Sequence, residues 1–246
     1  MKILIARHAD PDYEKDSLTP EGFKEAEALA VYLKKYHPDI KAFYCSTFGR
    51  ARDTIAPTLK TFHREATYYE WLHEFNEFVD RMDRNGNPIH IRSWDWLPRL
   101  FEKEPAFLDI EKWKEVSPFK ESGVPAYFDE VCVSFDALLA RHGYVRDGQN
   151  YRVVEGNHDT ILIVCHFGLM GVLLSHILNL SPLPFWQGTV ALPSSLTTLV
   201  SEEREKGIAL FRMNHFGSTA HLKEAGLEDA FAARFCECFE DDTRHD

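Results

Sequence analysis

An arginine and a histidine stand side by side where the first apolar run of this sequence stops. Residues 3–6, Ile-Leu-Ile-Ala, have the pattern of a buried strand, and Arg7 and His8 follow it directly. Residues 161–165, Ile-Leu-Ile-Val-Cys, end in the same way with His166. Because ligands bind beyond the carboxyl ends of the strands in an open parallel sheet, we expect the two histidines to meet across a crevice.

A second arginine stands where another strand passes into a helix. The segment CSTFGRARDT leaves a strand at Cys45 and enters a helix near Thr47, so that Arg50 falls in the first helical turn. The free N–H groups of a helix N-terminus favour anions, and an arginine fork binds phosphate oxygens through two parallel hydrogen bonds. Together with Arg7, this segment predicts a phosphate-binding site that needs no metal.

The elements that must position these residues alternate along the chain. Apolar patterning predicts strands at residues 2–6, 42–45, 66–69, 160–165, 195–200 and 208–213. Helical patterning predicts helices at residues 20–36, from about 47 to 62 with Pro57 bending or shortening the helix, and at about 127–142. This alternation predicts an α/β fold, a three-layer α/β/α sandwich with a mostly parallel central sheet.

The length suits one large domain with one interruption. The chain has 246 residues, of which 44% are hydrophobic, and we expect residues 1–246 to form a single domain. Residues 75–125, rich in tryptophan, phenylalanine, proline and charge, break the rhythm, and we expect them to form an inserted cap, called here the cap segment. Some of its side chains are candidates for contacting an anionic or flat substrate, although tryptophans in a small lobe more often form its core. These candidates are Arg81, Arg84, Arg92, Trp94, Trp96 and Trp113. A further helix is expected at about residues 227–239.

Composition limits the partners and the compartment. The net charge is −11, which argues against binding to nucleic acid or to an anionic membrane. The apolar stretch 161–178 is interrupted by His166, Gly168 and His176, which favours a buried strand turning into a helix over a membrane span. Five cysteines without a framework spacing, and a start without signal-peptide features, predict a cytoplasmic protein with free thiols.

Four short motifs, in this order, resemble those of the histidine phosphatase superfamily, the phosphoglycerate mutase-like family. The matching segments are Arg7-His8-Ala9 for the family's Arg-His-Gly, Leu18-Thr19-Pro20-Glu21-Gly22 for its LTxxG, STFGRARDT at 46–54 for its Ser-x-x-x-Arg-Ala-x-x-Thr, and VCHFG at 164–168 for its late strand-His-Gly. Two departures are Ala9 in place of glycine and Phe167 between His166 and Gly168. They concern the substrate and the fit of backbone donors, because every reacting side chain is present.

The resemblance implies roles for these residues. His8 would attack phosphorus and become phosphohistidine, with a hydrogen bond from its other ring nitrogen to a backbone carbonyl in the following loop fixing the tautomer. Arg7, Arg50 and a protonated or N–H-donating His166 would hold the non-bridging phosphoryl oxygens.

The resemblance also implies a general acid after the third strand, in a Leu-x-Glu setting. The segment Leu72-His73-Glu74 supplies it, so Glu74 is the expected catalytic carboxyl group. Three other carboxylates remain alternatives, namely Glu70, Glu77 and Asp10. The remaining histidines show no metal-ligand spacing, and we expect neither a metal nor another cofactor.

The leading function is therefore a metal-independent phosphomonoesterase that hydrolyses a small phosphorylated metabolite. A phosphoglycerate-mutase-type phosphotransferase is the second reading, and a non-catalytic protein that binds phosphorylated ligands on this fold is the third. The cap segment does not resemble a dedicated mutase insert, which favours hydrolysis. The expected partner is the metabolite rather than nucleic acid or a membrane, and a homodimer is left open.

Overall fold

An eight-stranded sheet with helices on both faces is the centre of the computed structural model, which describes residues 1–83 and 85–230. The strands of the described residues are β1 (Lys2–Arg7), β2 (Pro11–Asp12), β3 (Ser17–Leu18), β4 (Ile40–Ser46), β5 (Thr67–Tyr69), β6 (Phe78–Met82), β7 (Pro88–Arg92), β8 (Tyr144–Asp147), β9 (Asn150–Val153), β10 (Thr160–Cys165), β11 (Leu196–Glu205) and β12 (Ile208–Ser218). The α-helices of the same residues are α1 (Pro20–Tyr36), α2 (Gly49–Phe62), α3 (Pro98–Glu102), α4 (Val124–Ala140), α5 (Phe167–Leu178), α6 (Pro182–Gly188) and α7 (Ala220–Ala225).

The central sheet has the order β5-β4-β10-β1-β11-β12-β9-β8. The first four strands are parallel neighbours. From β1 onward the neighbours are antiparallel. β12 and β8 therefore run in the same direction as the parallel four, while β11 and β9 oppose them. The predicted α/β fold with a large, mostly parallel sheet is confirmed, and its parallel half carries the strands that precede the motifs.

Helices cover both faces of the sheet, as the pattern of β1 shows. Ile3 and Ile5 belong to the larger core cluster, which includes apolar residues of α4 and α5. Leu4 and Ala6 belong to a second cluster with apolar residues of α1 and α2. Successive side chains of a strand point to opposite faces, so a strand covered on both sides reads as one continuous apolar run.

The start of α1 follows from its local sequence. Thr19 caps the helix by accepting a hydrogen bond from the backbone N–H of Gly22 at 3.0 Å, and Pro20 occupies the first helical position. Gly22 lies against the loop that follows His8, where a Cβ would come within 2.3 Å of the Asp10 carbonyl oxygen. The cap and the close approach together attach α1 to that loop.

Two other predicted helices differ from expectation only at their ends. α2 begins two residues later than expected, at Gly49, and continues past Pro57 to Phe62, so the proline does not end it. The predicted helix at 127–142 is α4 and begins at Val124, where Pro125 suits the first turn. The sequence patterns missed the hairpin of β8 and β9, which adds the far edge of the sheet. Of the predicted helix at 227–239, residues 227–230 are not helical, and 231–239 lie outside the described residues.

The cap segment packs onto the main core through its aromatic side chains. It contains the antiparallel hairpin of β6 and β7, then α3 and two short 3₁₀ turns before α4 begins. The tryptophans at 96 and 113 are buried in the same cluster as α4 and α5. These two tryptophans therefore form core, while Arg84 lies outside the described residues.

The apolar stretch 161–178 forms β10 and then α5, as expected. None of the helices in residues 1–83 and 85–230 is long and apolar enough to cross a membrane. Cys45, Cys132 and Cys165 are buried free thiols.

Candidate active site

The register of two central strands brings the two motif histidines together. β1 and β10 are parallel neighbours in which Arg7 pairs with Cys165. The next residues, His8 and His166, are therefore adjacent at the carboxyl edge, and their ring centroids lie 5.1 Å apart. Both side chains are almost completely buried.

His8 is held in one tautomer. Its Nδ1 lies 2.8 Å from the carbonyl oxygen of Ala9, so Nδ1 carries the proton and donates it, and the lone pair is on Nε2. Burial and then the positive charge of Arg7 lower the pKa of the imidazole well below its usual value. His8 is therefore neutral at physiological pH, as a nitrogen nucleophile must be.

His166 faces the strand-to-helix junction that carries Arg50. Its Nε2 lies 2.9 Å from the hydroxyl of Ser46, the last residue of β4. Burial lowers the pKa of His166 well below its usual value, and the nearby His8 and Arg50 lower it further. The ring is therefore neutral without a ligand. Its buried Nδ1 has no hydrogen-bond partner in the described part of the chain.

Arg7, at the end of β1, is only 3% exposed. Its Nη1 donates to the Ala191 carbonyl at 2.7 Å, which fixes the guanidinium, while its buried Nε lacks a partner among the described residues. Burial lowers the pKa of Arg7, and the Glu74 carboxylate opposes that change. Because a buried unpaired donor is costly, a bound anion would offset part of the cost of burying this charge.

Arg50, in the first turn of α2, is held by an acidic residue that the sequence did not single out. Asp16 accepts from Nη1 of Arg50 at 2.6 Å and from the backbone N–H of Gly49 at 2.7 Å. One carboxylate thus caps the helix and orients the arginine, and the backbone of Asp16 takes a left-handed conformation, φ +47°, to do so. The buried Nε of Arg50 has no partner in residues 1–83 and 85–230.

Glu74 lies against the start of α5. Its Oε1 accepts from the backbone N–H of Leu169 at 3.1 Å and from its neighbour Phe75 at 2.8 Å. The first bond attaches the carboxylate to the helix that follows His166. The negative charge of Glu74 also raises the pKa of Arg7, which opposes the lowering by burial. Glu74 thus lies with the two histidines and Arg7.

The three alternative carboxylates have other surroundings. Asp10 accepts from the Thr19 hydroxyl at 2.7 Å and so belongs to the start of α1. Glu77 lies 3.5 Å from the position that a Cβ on Gly123 would take, at the start of α4. Glu70 begins the 3₁₀ turn that ends at Leu72. Of the four candidates, Glu74 is the one with a hydrogen bond to the helix that begins after His166.

A buried polar network lies behind the nucleophile. The backbone N–H of Ser194 donates to the carbonyl of His8 at 3.0 Å, and its hydroxyl lies 2.9 Å from Nε2 of His221. Glu25 of α1 accepts from the backbone N–H of Asp10 at 3.0 Å. Burial raises the pKa of Glu25 to about 7 and lowers that of His221 to about 4. No role of His221 is predicted from the sequence; in the structure it supports the turn that holds His8.

The candidate substrate contacts of the cap segment separate into two groups. Arg81 donates to the carbonyl and carboxylate of Asp95, so its charge is used within the segment. Trp94 is half-buried and lies edge-on to Phe167, with ring centroids 5.7 Å apart. Trp94 therefore reaches the site.

No cluster of three or more histidine, cysteine, aspartate or glutamate side chains that could hold a metal ion occurs within residues 1–83 and 85–230.

Buried histidines and arginines thus converge at the carboxyl edge of an α/β sheet, and the positive charges of the arginines suit an anion there. Residues 3–118 match the sequence model of the histidine phosphatase superfamily (branch 1). This match includes the first three of the four motifs and confirms the resemblance to that superfamily. No curated protein matches the chain.

Solved structures extend the likeness to most of the chain. A phosphoserine phosphatase from Entamoeba histolytica, in complex with 3-phosphoglyceric acid, is 17% identical with a TM-score of 0.57 over 90% of this chain and 98% of its own. A mycobacterial glucosyl-3-phosphoglycerate phosphatase is 16% identical with a TM-score of 0.56 over 88% and 98%. The alpha-ribazole phosphatase from Shigella flexneri is 18% identical with a TM-score of 0.53 over 89% and 97%. At these identities the likeness shows that the chain shares its fold with these three phosphatases.

Proposed function

We propose that this chain is a metal-independent phosphomonoesterase that hydrolyses a small phosphorylated metabolite through a phosphohistidine on His8. The observation that carries the proposal is the pair of neutral, buried imidazoles 5.1 Å apart, one of them with its Nδ1 proton held by a backbone carbonyl. This arrangement suits a nitrogen nucleophile beside an N–H donor.

In the first step, Nε2 of His8 attacks phosphorus as the bond to the leaving oxygen breaks. The carboxyl group of Glu74 gives its proton to that oxygen, so the leaving group departs as a neutral alcohol. Arg7, Arg50 and His166 bind the non-bridging oxygens and stabilise their charge. Loss of one such donor is expected to raise the barrier by about 3 kcal/mol, a rate decrease of about a hundredfold.

In the second step, water attacks the phosphohistidine and the P–N bond breaks. The Glu74 carboxylate takes a proton from this water, which regenerates the acid and releases inorganic phosphate. His8 returns to its neutral form with Nδ1 still hydrogen-bonded to the carbonyl oxygen of Ala9.

We further propose a cytoplasmic setting in which neither nucleic acid nor a membrane is a partner, in keeping with the net charge of −11.

The test is release of p-nitrophenol from p-nitrophenyl phosphate between pH 5 and 8 in the presence of EDTA. We expect turnover by the unmodified chain, none by His8→Ala and a strong decrease in Glu74→Gln. His215→Ala removes an exposed histidine and Glu70→Gln removes an alternative carboxylate, and both should retain activity. Full activity in His8→Ala, or loss of activity in EDTA, would contradict the proposal.

A further inference from the structure

Aromatic rings flank both arginines of the site. The guanidinium carbon of Arg50 lies 4.7 Å from the ring centroid of Phe48 and 5.5 Å from that of Tyr13. The guanidinium carbon of Arg7 lies 5.9 Å from the ring centroid of Phe167. Such packing holds each planar guanidinium and makes the walls of the phosphate site apolar.

Trp94 adds a ring of the cap segment beside the general acid. A Cβ on Gly168 would lie 2.7 Å from Nε1 of Trp94 and 2.8 Å from Oε1 of Glu74. The indole and the carboxylate therefore approach the same point of α5. Because Glu74 must contact the leaving oxygen, the group attached to that oxygen emerges next to Trp94.

Two arginines of the cap segment, Arg81 and Arg92, have partners within it. Arg92 donates to the side-chain oxygen of Asn76, and its guanidinium carbon lies 5.6 Å from the Trp94 ring and 5.3 Å from the Phe78 ring. Arg81 is bonded to Asp95. The charge of Arg81 is thus paired, and the guanidinium of Arg92 packs against rings, so the surroundings of Trp94 are mainly aromatic.

The exposed side chain of Tyr13 adds a second aromatic surface. Tyr13 is 66% exposed and lies on the Arg50 side of the site, whereas Trp94 lies on the Glu74 side. Tyr13 thus adds an aromatic side chain of the first loop to the one that Trp94 supplies from the cap segment.

On the basis of the proposed function, we infer that the substrate is a phosphomonoester whose leaving group carries a flat apolar ring, and that Trp94 is the residue that selects it. A ring contact of this kind stabilises the bound leaving group by dispersion and by edge-to-face attraction beyond the burial of its area. The preference for a ring-bearing over a ring-free alcohol is expected to be about tenfold in kcat/KM.

The experiment compares 2-phenylethyl phosphate with butyl phosphate by measuring phosphate release from the full chain. Both are esters of primary alcohols, so the comparison reports the ring rather than the quality of the leaving group. We expect the unmodified chain to favour 2-phenylethyl phosphate about tenfold in kcat/KM. In Trp94→Leu the kcat/KM for 2-phenylethyl phosphate should fall more than that for butyl phosphate, so that the two values become nearly equal. Tyr36→Leu removes a half-exposed ring at the far end of α1 and should leave the preference intact.

Inhibition constants of the matching non-hydrolysable phosphonates give a second measurement that needs only the unmodified chain. The 2-phenylethyl phosphonate should bind about tenfold more tightly than the butyl phosphonate. Equal efficiencies and equal inhibition constants would overturn the inference while leaving the phosphatase intact, as would a Trp94→Leu variant that loses activity on both esters equally. Failure to turn over either ester and p-nitrophenyl phosphate would instead overturn the proposed function.

Discussion

Glu25 makes the stability of the protein depend on pH in a way that one substitution should expose. Its carboxyl group is 3% exposed on α1 and accepts from the backbone N–H of Asp10, close to the carboxylates of Asp10 and Asp229. Burial, assisted by the charge of Asp10, raises its pKa from 4.5 to about 7. The group therefore stays protonated in the folded chain after it has ionised in the unfolded chain.

The magnitude follows from this difference in pKa. Below pH 4.5 both states hold the proton, so Glu25 has no effect on the pH dependence there. Between pH 4.5 and about 7 the unfolded state has lost the proton and the folded state has not, so the free energy of unfolding falls as the pH rises. The total decrease is about 3 kcal/mol, of which about 2.5 kcal/mol falls between pH 5 and 8.

The assay is urea unfolding, followed by circular dichroism, of the unmodified chain and of Glu25→Gln. Glutamine keeps the side-chain oxygen that accepts from Asp10 and does not titrate. The variant should therefore gain about 2.5 kcal/mol relative to the unmodified chain between pH 5 and 8. A constant difference between the two over this range would refute the reasoning.

His221 supplies the opposite control. Its pKa falls from 6.5 to about 4 because it is buried, so it contributes stability that is present above pH 6.5 and lost as the pH falls toward 4. Removing it in His221→Asn should make the free energy of unfolding decrease more steeply with rising pH than in the unmodified chain. The two groups, linked through Ser194, thus offset each other in the intact protein.

Three further expectations concern the site. Arg50→Lys should lower kcat/KM for p-nitrophenyl phosphate by about a hundredfold, because lysine cannot reproduce the guanidinium fork; a change below threefold would contradict the role of Arg50. Gly168→Ala should displace Glu74 or Trp94, because the added Cβ would lie within 2.8 Å of both. The hydrolysis rate should then fall more for phenyl phosphate than for 2,4-dinitrophenyl phosphate, whose leaving group needs little protonation. The control is Gly188→Ala, where nothing lies within 4 Å of the added carbon, and it should leave both hydrolysis rates unchanged. An equal loss of rate on the two esters in Gly168→Ala would argue against displacement of the acid.

The motif residues could be placed from the sequence because short-range rules determine them. Continuous apolar runs, typical of strands that are buried on both faces, predict β1 and β10. Their parallel pairing makes His8 and His166 neighbours. The cap at Thr19 and the proline after it define the start of α1. These features depend on residues adjacent in the chain or on strand register.

The surroundings of the site could not be found in this way, because they join segments far apart in sequence. Asp16 accepts a hydrogen bond from Arg50, which lies 34 positions away in the sequence. Ser194 donates to the backbone carbonyl of His8 over a much longer sequence separation. No local pattern distinguishes Asp16 from other surface aspartates, or the buried Glu25 from other acidic residues of α1. Trp94 is among the candidate substrate contacts, but no local pattern distinguishes it from Trp96 and Trp113, which form core.

Detection of a phosphoenzyme is the direct test of the proposed nucleophile, His8. The unmodified chain would be mixed with a phosphomonoester, quenched in base within milliseconds, digested and analysed by mass spectrometry for a phosphorylated peptide containing residues 7–9. The proposed mechanism predicts a base-stable, acid-labile phosphoryl group on His8 that is absent from His8→Asn. In Glu74→Gln this group should accumulate when the ester is p-nitrophenyl phosphate, whose leaving group needs little protonation. Turnover without label on His8, or label on another residue, would contradict it.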